Sequence, residues 1–342
     1  MTLFYEYSYY FTQCGFVTTS IANTLFIYLT ILHIKKITGP YKVMILVFSF
    51  VGIFFATWEL VSRPFAHNYN KALMYFSLNS WLEGSPEFLK IAICIYAALY
   101  IVILAIIAVQ FLFRYFTLCR PNFSRKFGGA GVMVWMFYVL LSGAIYGGAM
   151  YVNCDHDEFS DSYMRDIISV TYELNITNVP RYVIVPYSED GSIRWRIIKF
   201  LLSGVATIAL QYLIIIYCGV RMNTVLQKEL AQQSVVNRKL QKQFFRALVV
   251  QTIVPTLLFV LPIAPFLIGP LIQPFFLFEM NFQTGWMLSF YVCTHQLILL
   301  HSCSLYQNTR KQHWVKMFKP VLPKTVKVTS EISTSTAAAV TR

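Results

Sequence analysis

Charge is scarce in this sequence. Asp, Glu, Lys and Arg make up 13% of its 342 residues, and acids are the scarcer sign, with 15 Asp and Glu against 28 Lys and Arg. Soluble domains carry about 25% charged residues, so a chain that is 57% hydrophobic is too apolar for one. Other absences narrow the function. There is no Gly-rich phosphate loop, no pair of carboxylates inside an apolar run and no His at metal-ligand spacing, so neither an enzyme nor a cofactor is expected. The seven cysteines (Cys14, Cys94, Cys119, Cys154, Cys218, Cys293 and Cys303) have neither metal-site nor disulfide-framework spacing. Residues 1–10 contain Glu6 and no base, the wrong flank for a cleaved signal peptide. No internal repeat and no soluble domain is visible.

What is present is a series of long apolar runs, and the one that opens at residue 240 organises the reading. Residues 240–262, LQKQFFRALVVQTIVPTLLFVLP, begin polar and basic and then run apolar to Ile272, with Gln251 as the one strongly polar interruption. A helix rises about 1.5 Å per residue and a bilayer core is about 30 Å thick, so the run is long enough to cross it. Pro255, Pro262, Pro265 and Pro270 lie within it. They would break a soluble helix but are tolerated in a membrane helix, where neighbours satisfy the freed carbonyls. The reading is a kinked span with a charged foot.

Six further runs give seven spans, at about 11–32, 41–61, 88–113, 129–151, 197–220, 247–272 and 281–306, with a basic, Ser/Thr-rich tail at 308–342. The fourth is rich in small residues, among them Gly143 and Gly147, which permit close helix approach in lipid. Between the second and third spans a loop with Asn68, Asn70, Trp81 and Glu83 is expected, and residues 152–195 form the longest polar segment. With the N-terminus outside, the inner loops and tail hold 20 of the 28 bases and only two acids, Glu229 and Glu331. That satisfies the positive-inside rule at every inner loop. The net charge of +13 therefore reads as membrane orientation and not as a nucleic-acid surface. The expected fold is an all-α membrane protein, a seven-transmembrane-helix bundle with the N-terminus outside and the C-terminus cytoplasmic.

Several dispersed residues resemble one family. They are Gly39, Tyr41, Lys42, Phe48 and Ser49 at the second span; Glu59, Arg63, Pro64 and His67 at its outer end; Phe113 to Phe116, Cys119, Pro121 and Asn122 after the third; Asp190 and Gly191 before the fifth; and, above all, the stretch 240–255. In this order on a seven-span chain they resemble the nematode seven-transmembrane chemoreceptors of the serpentine receptor class Str. The resemblance implies odorant or pheromone reception at the ciliary membrane of sensory neurons. It also implies coupling to a heterotrimeric G protein. One departure concerns the seventh span. Where the family commonly has an acid followed by Pro, and an Arg-Asp-aromatic-Arg run at the cytoplasmic end, this chain has His295, Gln296 and then Ser304 to Gln307. That puts the signalling competence of this copy in question, and a non-signalling seven-helix protein is the alternative.

Candidate residues follow. Arg114 and Tyr115, at the foot of the third span, resemble the Arg-Tyr pair of rhodopsin-like receptors without the preceding acid. Arg114 either meets a G protein, locks an inactive state or simply marks the inner side. Lys239, Lys242 and Arg246 are three and four apart and share a helix face, a G-protein-facing patch below the hinge at Pro255. Glu59 and Arg63 have the order of a helical ion pair, either as interface dressing or as the rim of a ligand vestibule. A pocket for a small ligand would draw on Tyr96, Tyr100, Phe266, Trp286 and Phe290, although aromatics this frequent are more often packing or lipid contacts. Asn175 opens an Asn-Ile-Thr sequon in the outer segment, whereas the Asn122 sequon lies on the inner side. A Cys94–Cys154 disulfide is conceivable but is not expected, because Cys94 lies more than a turn below its helix end. A transporter would show repeats and mid-membrane charges, and an odorant-gated channel would have the opposite orientation.

Overall fold

A computed structural model describes residues 2–32, 39–69, 71–82 and 84–228, with Val249, Thr252, Ile253, Thr256, Asn281 and Phe282 beyond them. The elements in chain order are α1 (Thr2–Leu32), α2 (Pro40–Ser62), β1 (Pro64–Tyr69), β2 (Ala72–Ser77), α3 (Pro86–Cys119), α4 (Pro121–Ser124), α5 (Ala130–Asn153), α6 (Glu158–Tyr172), β3 (Arg181–Ile184), α7 (Trp195–Lys228) and β4 (Asn281–Phe282). Five helices contain an apolar stretch long enough to cross a bilayer: Thr12–Leu32, Pro40–Ser62, Pro86–Cys119, Ala130–Asn153 and Trp195–Val225. They overlap the first five expected spans, with the third and fifth extending further at the basic end. The body of the sixth span, the seventh beyond Phe282, and the tail lie outside the described residues.

The third span, α3, is the centre. Its most apolar window is 72% buried, against 28–39% for the other four spans, and a helix apolar all round is suited to that position. Pro86 and Pro40 open α3 and α2 in the first turn, where a missing N–H is no loss. The fourth span, α5, lies against α3 through its small residues. A Cβ on Gly143 would stand 2.9 Å from the Ala98 carbonyl oxygen, and one on Gly147 would stand 2.9 Å from that of Cys94. Side chains at these two positions, one turn apart, would force the backbones apart, so glycine sets the helix spacing. Gly52 of α2 likewise admits Asn23 of α1, whose amide would be 3.4 Å from an added Cβ.

The all-α expectation needs correction: the fold is mostly helical, with a four-stranded sheet in the order β3-β2-β1-β4. The region read as a loop after the second span is a hairpin. Tyr69 pairs with Ala72 and Pro64 with Ser77, so two residues connect the strands. The hairpin also closes the end of α2. Arg63 takes a left-handed conformation there (φ 36°). Ser77 Oγ donates to the Ser62 carbonyl at 2.6 Å and Asn79 Nδ2 to the Val61 carbonyl at 2.5 Å, satisfying acceptors that a helix end leaves open. The long polar segment is not loop either. It folds into α6 and β3, and β3 pairs with β2 from Leu73↔Ile184 to Phe76↔Arg181. The expected seventh span does not begin as helix, because Asn281 and Phe282 are extended against His67 and Ala66 of β1.

These connections give the bundle two unlike ends. The sheet end holds the C-termini of α2 and α5 and the N-termini of α3 and α7. The opposite, basic end holds Lys42, Arg114, Arg120, Arg125, Lys126, Arg221 and Lys228, and among the described residues it carries no carboxylate.

Candidate functional site

At the basic end the third helix runs on past the expected boundary. The apolar pattern ends the span at Phe113, with Arg114 just beyond it. Instead α3 continues to Cys119, and Arg114 is 7% exposed. Its guanidinium carbon stands 3.7 Å from the centroid of the Tyr41 ring in the first turn of α2, a cation–π contact strengthened by the loss of water. Tyr41 also stacks on Phe113 at 6.0 Å, and Phe113 meets Phe127 edge-on at 5.4 Å. Tyr115 points across to the fifth span and lies T-shaped against Tyr217 at 5.9 Å. A buried cation and an aromatic collar therefore join the feet of α2, α3 and α7. Tyr41 was legible only as part of a resemblance. Its role as the cradle of Arg114 was not.

The sixth span meets this frame at Thr256. The Tyr212 hydroxyl and Thr256 Oγ1 are 2.8 Å apart, and Thr256 Oγ1 donates to the Thr252 carbonyl at 2.7 Å. The residue after Pro255 is thus fastened to α7, a contact no sequence signal announced. Pro255 itself, with Lys239, Lys242, Arg246, Phe266, Trp286 and Phe290, lies outside the described residues.

Of the candidate ligand residues, Glu59, Tyr96 and Tyr100 are described, all in the sheet-ward halves of their helices. Glu59 is 1% exposed, which removes the interface-dressing reading. Arg63 has left the helix, so the i,i+4 geometry expected of the pair does not apply. Its guanidinium sits 4.8 Å from the Tyr9 ring centroid. Tyr96 is buried on Phe55, with ring centroids 5.1 Å apart. Tyr100, one turn further along α3, is half-buried where the apolar cores of the two ends meet. The three residues thus place a buried carboxyl and two tyrosines on the adjoining helices α2 and α3. Among the described residues, no three His, Cys, Asp or Glu side chains converge as metal ligands would.

Over the sheet end, α6 forms a cap. Asp157 accepts from Ser160 N at 2.9 Å while Ser160 Oγ accepts from Asp157 N at 2.9 Å, a reciprocal capping box. Met164 and Ile168 are buried against Phe76 and Val183 of the sheet. Arg181 of β3 grips Asp161 through two hydrogen bonds, that from Nε at 2.8 Å, and donates to the Ile176 and Val179 carbonyls. Tyr172 at the end of α6 meets His67 Nδ1 of β1 at 3.2 Å, and burial pushes its phenol up to about 12. Burial raises the Asp157 carboxyl, but the Ser160 hydrogen bonds and the Arg194 charge outweigh it and hold it below the usual carboxylate range. Cys94 and Cys154 are free thiols buried in one cluster with Tyr182, and burial holds the Cys154 thiol well above its ordinary value. Asn175 is exposed, and its Oδ1 accepts from Thr177 Oγ1 at 2.8 Å and Thr177 N at 3.1 Å.

Known proteins agree with this architecture. Residues 8–311 match the family described as serpentine type 7TM GPCR chemoreceptor Str. The chain belongs to the Str family of serpentine chemoreceptors. The Str receptor is 34% identical to the Caenorhabditis elegans G-protein coupled receptor str-33 over 80% of each chain. It is 26% identical to the serpentine receptor class r-10 of the same species, over 69% of this chain and 70% of that one. Squid rhodopsin has the same fold, with a TM-score of 0.59 at 11% identity over 95% of this chain and 89% of that one. The Str receptor is therefore a multi-pass membrane protein with a G-protein-coupled-receptor fold.

Proposed function

We propose that this Str receptor is a chemosensory receptor whose sheet end faces outside the cell and whose basic end faces a heterotrimeric G protein. The orientation is supported by the described charges, since every described carboxylate lies toward the sheet end and the basic end holds bases alone. A seven-span count is supported by the course of the chain. It leaves α7 at the basic end at Lys228 and is back at the sheet end at Asn281, a journey that calls for one more crossing. A seventh crossing follows if the tail is cytoplasmic.

The observation that carries the coupling reading is Arg114, buried in the central helix at the basic end and held on Tyr41. A cation kept out of water at that end is poised to be uncovered. A small odorant or pheromone, bound near Glu59, Tyr96 and Tyr100 with Phe266, Trp286 and Phe290, favours one packing of the sixth span against the third and fifth. Pro255 lacks an N–H and so leaves a weak point in that span. It lies one residue before the Thr256–Tyr212 bond, so the part below can swing while the part above stays on α7. The swing opens a cleft beside Arg114 and Tyr115, into which Lys239, Lys242 and Arg246 direct a basic face toward acidic or C-terminal groups of the G protein. The test is to express the full chain with a G-protein activation reporter and screen volatile and water-soluble compounds. At least one should activate the reporter, and Arg114→Gln at matched surface level should lose that response.

A further inference from the structure

A cavity of about 530 Å³ lies at the basic end between the last turns of α3, the 121–127 connection, the first half of α5 and Ile214 of α7. Cavities of about 300–1,000 Å³ are the size that holds a small molecule. Its wall is apolar along Ala108, Val109, Leu112 and Ile214, and the one charge on it is Lys126. Lys126 is exposed, with its ammonium 4.9 Å from the Phe123 ring centroid.

One donor in this wall lacks an acceptor among the described residues. Trp135 lines the cavity and is 5% exposed, and among the described residues its indole N–H has no hydrogen-bond partner. Tyr138, also in the wall, is satisfied, since its hydroxyl donates to Gln211 Oε1 at 2.8 Å. Buried donors are nearly always satisfied, so the indole N–H in the wall of this apolar cavity calls for an occupant that brings an acceptor. The surrounding charge selects its sign: Arg120, Arg125 and Lys126 ring this end, and among the described residues no carboxylate does.

We propose that the cavity binds one anionic glycerophospholipid of the surrounding membrane. The phosphate sits on Lys126 at the rim. Trp135 is five residues, about 8 Å, inside the start of α5, and its indole N–H donates to an ester carbonyl there. One acyl chain runs along Ala108, Val109, Leu112 and Ile214. The lipid thereby wedges the third, fourth and fifth spans at the end where the coupling face lies. This inference rests on the membrane fold and not on G-protein coupling.

The test uses the purified full-length receptor in neutral detergent, offered phosphatidylglycerol, phosphatidylcholine or cholesterol, with retained lipid counted by native mass spectrometry. One phosphatidylglycerol should be retained in preference to the other two. Lys126→Gln should weaken it about fivefold, and Trp135→Phe, which keeps the ring but removes the donor, should weaken it as well. Ala108→Phe fills the cavity without changing any charge and should abolish retention. Should that variant not fold, Val134→Trp narrows the mouth from a position that is 71% exposed and should do the same. Three results each overturn the proposal. One is equal retention in the filled variants, which places the lipid on surface charge. Another is equal binding of cholesterol or phosphatidylcholine, which indicates a neutral occupant. The last is no retained lipid at all.

Discussion

The Arg114 guanidinium of α3 rests 3.7 Å from the centre of the Tyr41 ring of α2. A buried cation on an aromatic face is worth about 1–2 kcal/mol when water is excluded. Tyr41→Leu should therefore lower the thermal unfolding midpoint of the purified receptor, and Tyr41→Phe, which keeps the ring, should lower it much less. Equal losses would mean that only packing volume matters at this position.

The α6 cap carries an ion pair between Asp161 and Arg181, whose side chains are 13% and 5% exposed. Removing one partner of such a pair costs about 3–5 kcal/mol, because the other charge stays buried, while replacing both with apolar groups can be nearly neutral. Arg181→Met should speed amide hydrogen exchange across residues 158–172. The double change Arg181→Met with Asp161→Leu should restore much of the protection. Unchanged exchange in the single variant would show that the pair does not hold the cap.

Acid should loosen the same cap. The Asp157 carboxyl is held below its ordinary value of 3.8. Its stabilising contribution is thus fully present above that pH and is lost as pH falls through the lower folded value. Hydrogen exchange at the start of α6 should be protected at pH 5 and, after correction for the intrinsic rate, deprotected near pH 3. Asp157→Asn should remove this pH dependence.

Topology is open to direct labelling. A tag within 160–166 would break the capping box and the Asp161–Arg181 pair, so the exposed turn at 189–191 is the better outer position. Tags before Thr2 and in that turn should be reached by antibody on intact cells, and one after Arg342 only after permeabilisation. Asn175→Gln should raise gel mobility by about one glycan, and Asn122→Gln should not. An accessible C-terminus would contradict the orientation.

The five described spans were legible because their apolar runs are long and Lys or Arg marks the ends. Arg114 misled for the same reason: a base after an apolar run resembles a boundary, and only Tyr41, distant in sequence, shows why it can remain in the core. The hairpin was hidden because Ala72 to Ser77 is apolar on both faces, without alternation, and Pro64 and Asn70 suggest a loop. In α6 the signal was present. Asp157 precedes Phe159, Tyr163, Met164, Ile167 and Ile168 at helical spacing, but the long polar segment around it masks the pattern. The Tyr212–Thr256 bond joins residues 44 apart, and single polar residues in apolar runs do not name their partners.

The central claim is that a ligand bound toward the sheet end drives a G protein through the foot of the sixth span. Its most direct test is ligand-evoked G-protein activation by the variant with Lys239, Lys242 and Arg246 all replaced by Gln, at surface expression matched to the unaltered chain. Matching matters because cytoplasmic bases also guide insertion. The account predicts retained ligand binding with activation abolished. Normal activation at matched surface level would contradict it and leave these bases with orientation as their whole role.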